Sequence, residues 1–325
     1  MREKVLGYLR SQSDYVSGEE ISKSLGVTRA SVWKIINKLK DEGYEIESST
    51  KKGYKLIETP NVITREEVLN IITTKSLGRD IRYFKEIDST NEEVKRIARA
   101  GEVEGVTVIA DKQTAGKGRL GRSWDSPSGN SIFMSILLRP QIRPDKASQL
   151  TLMAGLAMCE AICLVTGLDA KIKWPNDIVV SGKKVCGILT EMSAEMDGIN
   201  YIVVGIGVNV NNTDFPGNLS YATSLKLEGQ KEYQRREIIK VFLEKFEPYY
   251  MAYKEMPTLE MIIPIYKRYC ITLADKVKII DSIKEYVATP LDINVDGSLV
   301  VKTEDGEINT ILSGEVSVRG IYGYV

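Results

Sequence analysis

The sequence of 325 residues predicts an α+β protein built from three successive parts. Three observations lead to this prediction. At the beginning of the chain, apolar residues recur at helical spacing and two strand-like runs follow. Strands and helices alternate through the middle of the chain. The last part contains short strand-like runs separated by turns. We expect the three domains to span residues 1–60, 61–269 and 270–325.

The first domain is predicted to be a winged helix-turn-helix. A first amphipathic helix lies near the N-terminus, and a capping box formed by Ser17 and Glu20 precedes a second helix. A third helix begins near Thr28 with one apolar stripe, and strand candidates follow at residues 44–47 and 53–57. Three helices followed by a hairpin describe this fold, whose third helix enters the major groove of DNA.

The charge of the third helix favours DNA binding. Residues 28–40 carry four cationic side chains and no acidic one. Residues 1–60 as a whole hold eleven Lys or Arg against nine Asp or Glu, so a protein-interaction module is the alternative. The residues expected to contact DNA are Thr28, Arg29, Ser31, Lys34, Asn37, Lys51 and Lys52, with the last two at the tip of the wing.

The second and third domains are predicted from element patterns. Thr59-Pro60 ends the first domain, and the clearest helix of the middle domain covers residues 148–165. Asp-Gly pairs at 296–297 and 305–306 are hairpin signals, which predict a small β-barrel or sandwich at the end. The strand-like runs of the two domains are 107–110, 132–138, 170–174, 185–189, 201–208, 276–280, 286–291, 299–303 and 308–311.

Composition excludes several classes of chemistry. Lys and Arg together balance Asp and Glu at 44 each, so any basic site has to be local. The chain has no histidine, which removes histidine triads, histidine metal sites and imidazole acid-base catalysis. Its four cysteines lack C-x-x-C spacing and are expected to be reduced. No signal peptide and no run of about eighteen apolar residues are evident, so a cytoplasmic protein without a membrane span is expected.

Residues 116–124, G-K-G-R-L-G-R-S-W, combine three glycines, three cationic side chains and a tryptophan, a mixture that suits a nucleotide. The G-x-G-x-x-G match inside this loop fails as a dinucleotide fingerprint, because Pro127 and Gly129 break any helix after it. A Walker loop centred on Lys117 is also excluded. That motif requires glycine at position 111 and a hydroxyl residue at position 118, where this chain has Asp111 and Gly118. An ordinary basic surface loop remains the alternative.

Other polar clusters interrupt the predicted strands. The run K-W-P-N-D at residues 173–177 makes a rigid turn, in which Asp177 either binds a cation or holds the turn. In the hairpin at 181–187, Lys184 is better placed than Lys183 to meet an anion, because Val185 must point the other way. Glycines within the strand at 205–211 suggest close approach of a ligand or of backbone. An Asx turn and a solvated lysine are the ordinary alternatives.

Together these motifs resemble the biotin-protein ligases, specifically the bifunctional type that also represses the biotin operon. The family's G-R-G-R-x-G-R-x-W loop is matched by residues 116–124, its K-W-P-N-D by 173–177, and its K-x-x-G-I-L by 184–189. The family generally has arginine where this chain has Lys117. The resemblance implies an N-terminal winged helix-turn-helix, a central mixed α/β ligase domain and a small C-terminal SH3-like β-barrel.

The resemblance also implies a reaction in two steps. Biotin and Mg-ATP give biotinyl-5′-adenylate and pyrophosphate, and a lysine of a biotin carboxyl carrier domain then takes the biotinyl group. Cationic side chains and Mg²⁺ can screen the repulsion between carboxylate and phosphate without histidine. Implied partners are the carrier domain of acetyl-CoA carboxylase or of other biotin-dependent enzymes, operator DNA and a second copy of the chain when the adenylate is bound, with no membrane.

The site residues follow from the same resemblance. Lys184 and Arg119 are expected to be catalytic and to hold the biotin carboxylate and the α-phosphate, and the loop is expected to order over the adenylate. No metal ligands are assigned. The expected biotin-binding residues are Ser89, Thr90, Asn91, Gln113, Lys117, Gly118, Arg119 and Lys184. The expected nucleotide-binding residues are Arg119, Arg122, Trp124, Asn176, Lys184 and Asn209.

Three alternative functions stay open. The chain could be a biotin-sensing repressor that does not transfer biotin, a ligase whose N-terminal domain does not bind DNA, or an enzyme that attaches lipoate or octanoate. Intact Lys184 and Asn176 argue against the first, and the winged helix with the C-terminal β domain argues against the third.

Overall fold

A computed structural model describes residues 1–41, 43–195, 198–280, 285–313, 317–320 and 324–325. The chain forms two compact units, Met1–Val62 and Ile63–Val325. The C-terminal strands belong to the second unit together with the central sheet.

The first unit has the predicted winged helix-turn-helix architecture. Its elements are α1 (Arg2–Arg10), α2 (Gly18–Leu25), α3 (Arg29–Asp41), β1 (Glu45–Ser49) and β2 (Gly53–Glu58). The strands pair antiparallel as the wing. The capping box is confirmed, because the Glu20 backbone N–H donates to Ser17 Oγ and the Ser17 backbone N–H donates to the Glu20 carboxylate. Val32, Ile36 and Leu39 form the buried stripe of α3.

A mixed seven-stranded sheet organises the second unit. Its strands lie in the order β3-β4-β5-β9-β8-β7-β6, with β3 and β4 parallel and every other neighbouring pair antiparallel. The strands are β3 (Ile81–Phe84), β4 (Thr107–Ala110), β5 (Ser131–Leu138), β6 (Lys171–Lys173), β7 (Asp177–Val180), β8 (Lys183–Glu195) and β9 (Gly198–Asn209).

Helices cover both faces of this sheet. Ile136 and Val204 belong to the main core with α6 and α8, whereas their neighbours Leu137 and Val203 belong to a second cluster with α5, as strand alternation requires. The helices of this unit are α4 (Arg65–Leu69), α5 (Thr90–Arg99), α6 (Gln149–Thr166), α7 (Leu225–Gly229), α8 (Arg235–Glu255) and α9 (Ile263–Tyr269).

One helical segment of the described residues has the length and mean hydropathy of a membrane span, although the sequence has no run of eighteen consecutive apolar residues. The segment Pro144–Thr166, which contains α6, is long and apolar enough, with a mean hydropathy of 1.6. However, 78% of its most apolar window is buried inside the protein, so the helix is apolar all round because it packs in the core.

The C-terminal strands form a five-stranded antiparallel sheet in the order β13-β12-β11-β10-β14. Trp174 fastens this region to the central sheet, because its backbone N–H donates to Thr272 Oγ1 at 2.9 Å and its indole N–H donates to the Gly297 carbonyl at 3.0 Å. The strands are β10 (Val277–Ile280), β11 (Glu285–Ile293), β12 (Leu299–Thr303), β13 (Ile308–Ile311) and β14 (Ser317–Gly320).

Candidate active site

Two adjoining cavities open at the edge of the central sheet. One has a volume of about 490 Å³ and the other of about 50 Å³. The structure therefore brings residues from three separate sequence motifs to one boundary. The residues that line both cavities are Gly118, Arg119, Trp124, Asn176 and Lys184.

The small cavity has a polar end at the start of α5. The backbone N–H and the hydroxyl of Thr90 donate to Gln113 Oε1 at 2.8 and 3.1 Å. Ser135 Oγ lies 2.6 Å from Asn91 Oδ1 and 2.7 Å from Thr90 Oγ1. Ser89 is the N-cap residue of α5, and among the described contacts its side chain makes no capping hydrogen bond. These fixed donors and acceptors suit a small polar ring that must be oriented.

Glycines in β8 and β9 mark close approach of side chains, where the sequence had predicted close approach of a ligand or of backbone. A Cβ atom on Gly205 would lie 2.0 Å from Asn91 Oδ1. The indole ring of Trp124 covers the other two positions, where a Cβ would come within 2.8 Å of the ring at Gly187 and 2.7 Å at Gly207. The missing side chains therefore create a flat slot that an aromatic or bicyclic group can enter.

Backbone hydrogen bonds and an ion pair of Lys117 are among the contacts that hold the 116–124 loop. The Gly118 backbone N–H donates to the Arg122 carbonyl at 2.7 Å, and the Trp124 backbone N–H donates to the Gly116 carbonyl at 2.9 Å. Lys117 Nζ lies 2.6 Å from the Glu92 carboxylate. Hydrogen bonds from Lys117 and then from Lys95 lower the pKa of Glu92 to about 2, so this carboxylate is charged at neutral pH.

A chain of polar contacts crosses the boundary between the cavities. Arg119 Nη1 donates to Asn176 Oδ1 at 2.7 Å, and Asn176 Nδ2 donates to Asp177 Oδ1 at 3.1 Å. Lys184 Nζ lies 2.5 Å from the same Asp177 oxygen. Burial lowers the pKa of Arg119 from its ordinary value. The chain places two cationic side chains and one amide where an anionic ligand could contact all three.

The large cavity is strongly cationic. Lys173, Lys184, Arg119, Arg122 and Arg319 line it, and Asp177 is the one carboxylate among the described residues that line it. Burial lowers the pKa of Lys173 to about 8, an effect that Asp177 opposes and Lys184 and Arg319 reinforce. A cavity of this size and charge suits a polyphosphate ligand.

Not every predicted residue lines a cavity. One residue predicted to bind the nucleotide, Asn209, is not among the described residues that line either cavity. It is buried, and its Nδ2 donates to the Thr223 carbonyl at 3.1 Å. Arg122 lines the large cavity but not the small one. The other predicted ligand residues of both sets lie around one or both cavities.

The predicted DNA-binding residues lie in the first unit. The Ser31 backbone N–H donates to Thr28 Oγ1 at 3.2 Å, so these two residues cap α3. Lys34 is exposed beside Asn37, which is partly buried, on the surface of α3. The exposed residues of this unit also include Arg29, the first residue of α3, and two lysines on the turn between β1 and β2, Lys51 and Lys52.

Several site residues were missed by sequence reasoning. Ser135 carries a readable signal, since it is a polar residue inside the apolar strand β5. Glu92 opposes Lys117, a pairing that no local pattern reveals. Tyr221, Arg319 and Tyr324 line the large cavity from distant parts of the chain, and only the tertiary structure brings them there.

Comparisons with known proteins agree with this geometry. Residues 83–209 match the biotin/lipoate A/B protein ligase family, residues 2–55 match an HTH domain, and residues 276–319 match the biotin protein ligase C terminal domain. The chain is 36% identical over 314 residues to the bifunctional ligase/repressor BirA of Bacillus subtilis (strain 168), covering 96% of each protein. It is 28% identical to the protein of the same name from Escherichia coli (strain K12), covering 96% of this chain and 95% of that protein.

A solved structure supports the same relationship. The biotin protein ligase from Aquifex aeolicus in complex with biotin and ATP matches with a TM-score of 0.65 and 31% identity, covering 74% of this chain and 99% of the other. The resemblance noted in the motifs is confirmed across all three regions of the sequence. The chain belongs to the bifunctional ligase/repressor family of biotin protein ligases.

Proposed function

We propose that this chain carries out both activities of its family, as an ATP-dependent biotin–protein ligase and as a transcriptional repressor of biotin biosynthesis genes. The observation that carries the enzymatic part is the pair of adjoining cavities joined by Arg119, Asn176 and Lys184. Two ligands that meet at these residues can react with each other, because the shared side chains hold both reacting ends.

Biotin occupies the small cavity. Its ureido ring lies among Ser89, Thr90 and Gln113, which offer both donors and acceptors, while Asn91 closes the polar end. The present volume of about 50 Å³ holds one or two water molecules, which is too small for a bicyclic ligand. Biotin binding therefore moves the Trp124 ring away from the glycines that it now covers.

ATP occupies the large cavity, with its α-phosphate near Arg119 and Lys184 and the remaining phosphates among the other cations. Mg²⁺ fits this arrangement. No group of three acidic, cysteine or histidine ligands occurs among the described residues, and Mg²⁺ is commonly bound by one carboxylate and substrate phosphates. Asp177 would supply that carboxylate, and the ion would neutralise charge on the phosphates.

The first chemical step joins the two ligands. A biotin carboxylate oxygen attacks the α-phosphorus, the bond to the bridging oxygen breaks, and pyrophosphate leaves. Arg119 and Lys184 stabilise the negative charge that both reactants bring together, which is the main barrier in a site without histidine. In the second step a carrier-domain lysine amine attacks the carbonyl of the mixed anhydride, and AMP leaves.

The first unit binds operator DNA through α3 and the wing. The exposed cations of α3 and the HTH match support this assignment. We also propose a homodimer when the adenylate is bound, tested by sedimentation velocity with and without biotinyl-5′-adenylate. The proposed location is the cytoplasm, which agrees with four cysteines present as free thiols.

Biotin-dependent exchange between ATP and pyrophosphate tests the enzymatic proposal. We expect exchange with biotin and no exchange with lipoate, and we expect subsequent biotinylation of a purified carrier domain. Exchange without transfer would identify a biotin-sensing repressor, and exchange with lipoate would identify the other acyl ligase. Footprinting of the promoter region with biotinyl-5′-adenylate present tests the repressor, and absence of protection would leave a ligase alone.

A further inference from the structure

We propose that Tyr324, beyond the last strand, is a positioning residue for adenylate formation. In this inference, which rests on the proposed ligase function, the Tyr324 hydroxyl holds the Asp177 carboxylate that orients Lys184 and Asn176. No sequence motif includes Tyr324, and it acts through Asp177 rather than on the ligand's reacting atoms.

The Tyr324 side chain is fixed by contacts with three separate elements. Its ring stacks on Tyr221, with centroids 4.8 Å apart and an interplanar angle of 9°. Lys173 Nζ lies 3.5 Å from the centroid of the Tyr324 ring, within cation–π distance. The hydroxyl of Tyr324 donates to Asp177 Oδ2. These contacts leave the tyrosine one orientation, in which its ring forms a wall of the large cavity.

The Asp177 carboxylate is shared between the cavity and the tyrosine. Oδ1 accepts a hydrogen bond from Asn176 and pairs with Lys184, while Oδ2 accepts from Tyr324. Holding Oδ2 fixes the rotation of the carboxylate, so that Oδ1 faces the lysine and the amide.

The effect reaches the 116–124 loop through one further contact. Asn176 Oδ1 accepts from Arg119, so the same carboxylate fixes the amide that orients the arginine. If the hydroxyl is removed, Asp177 can rotate and bind Lys184 with both oxygens, which withdraws the lysine from the phosphate. A hydrogen bond to a charged group is worth about a tenfold change in an equilibrium or rate.

The test compares Tyr324→Phe, which keeps the ring but loses the hydroxyl, with Tyr324→Leu, which loses both. Tyr249→Phe is the matched control, because the Tyr249 hydroxyl also donates to a carboxylate, that of Glu160, at 2.8 Å and away from both cavities. Each variant is assayed by biotin-dependent ATP–pyrophosphate exchange over a range of ATP concentrations. A second assay transfers biotin from added biotinyl-5′-adenylate to a carrier domain, and Tm is measured for every variant.

We expect Tyr324→Phe to lower kcat/KM for ATP in exchange about tenfold. Transfer from added adenylate should stay within about twofold of wild type, and the Tm change should match that of Tyr249→Phe. Tyr324→Leu should lower exchange further.

If the wild type is active, either of two results would overturn this inference and leave the proposed ligase function intact. Unchanged exchange in Tyr324→Phe would exclude a positioning role, and equal losses in exchange, transfer and Tm would assign Tyr324 to folding. A folded wild-type chain with no exchange activity would refute the proposed function and this inference together.

Discussion

Replacement of Lys173 by methionine should stabilise the protein at neutral pH and impair adenylate formation. Lys173 lies in β6 and is only 6% exposed, yet it carries a charge beside Lys184 and Arg319. Methionine preserves the length of the side chain and removes the charge. A buried cation that weakens folding is expected where it serves a ligand, here the phosphates of ATP.

The size of the effect follows from the pKa of the lysine. Burial lowers this pKa from 10.5 to about 8, which corresponds to about 3 kcal/mol of lost stability when the group is charged. The cation–π contact with Tyr324, which methionine gives up, returns about 1–2 kcal/mol. We therefore expect Lys173→Met to increase the free energy of unfolding by about 1–2 kcal/mol at pH 7.

The stability difference between Lys173→Met and the wild type should decrease as the pH rises. Between pH 8 and 10.5 the unfolded chain holds a proton on Lys173 that the folded chain has lost, so wild-type stability rises with pH in this window. The advantage of Lys173→Met should shrink there by about 1.4 kcal/mol per pH unit at most. Urea unfolding of both proteins at pH 7, 8 and 9 measures the difference, and pyrophosphate exchange at pH 7 measures the loss of activity.

Lys171→Met is the matched control on the same strand. Lys171 is paired with Asp169 at 2.6 Å, and this pairing raises its pKa, so its removal should slightly destabilise the protein. The reasoning about Lys173 fails if Lys173→Met is less stable than wild type at pH 7, or if the stability difference between them does not change from pH 7 to 9.

Three further perturbations test the site and the DNA-binding unit. Gly205→Ala would place a Cβ 2.0 Å from Asn91 Oδ1, so we expect a loss of about 1–3 kcal/mol in unfolding free energy and weaker biotin binding by calorimetry. Arg119→Gly should release biotinyl-5′-adenylate about tenfold faster or more, measured as free adenylate during turnover. Lys34→Ala should weaken DNA binding and reduce the slope of log affinity against log salt by about one, whereas Lys23→Ala on α2 should not.

Gly155→Ala and Arg143→Gly are the controls for the glycine and arginine variants, and both lie outside the two cavities. Gly155→Ala in α6 meets its nearest neighbour at 3.8 Å and should be tolerated, so equal damage from both glycine variants would contradict the close-approach argument. Arg143→Gly changes an arginine whose side chain is 82% exposed and should not affect adenylate release. Unchanged release from Arg119→Gly would contradict the proposed role of the 116–124 loop.

Local signals were enough to predict the first unit. The capping box at Ser17 and the apolar stripe of α3 depend on neighbouring residues, so sequence alone identifies them. The 116–124 and 173–177 motifs were recognised for the same reason. Each carries unusual residue types at fixed spacing, and the structure brings both motifs to the boundary between the two cavities.

Elements that depend on tertiary packing were harder to predict. No helix was assigned to α8, although Phe242, Phe246 and Tyr250 recur every four residues and stack in sequence at 5.4 and 6.1 Å. Pro248 interrupts the pattern inside this helix, where proline normally argues against helical structure. Packing against α6 in the main core overrides that local preference.

The role of Asn209 could not be derived from its motif either. It follows two strand glycines that do border the small cavity, Gly205 and Gly207. Side chains alternate along a strand, but β9 ends at Asn209, and its amide turns to the Thr223 carbonyl. The nucleotide assignment of Asn209 therefore stays a prediction, which Asn209→Ala and calorimetry with ATP would test.

Asp177 connects the stability of the free protein with the chemistry of the site. Without ligand, the clustered cations of the large cavity repel one another, and burial, together with this weaker repulsion, lowers the pKa of Lys173. Asp177 offsets part of it by pairing with Lys184 and by facing Lys173. ATP brings more negative charge than one carboxylate supplies, so it can take Lys184 from Asp177 and relieve the remaining repulsion. Ligand binding should therefore stabilise the second unit beyond the contacts that ATP makes, and Lys173→Met should reduce that gain.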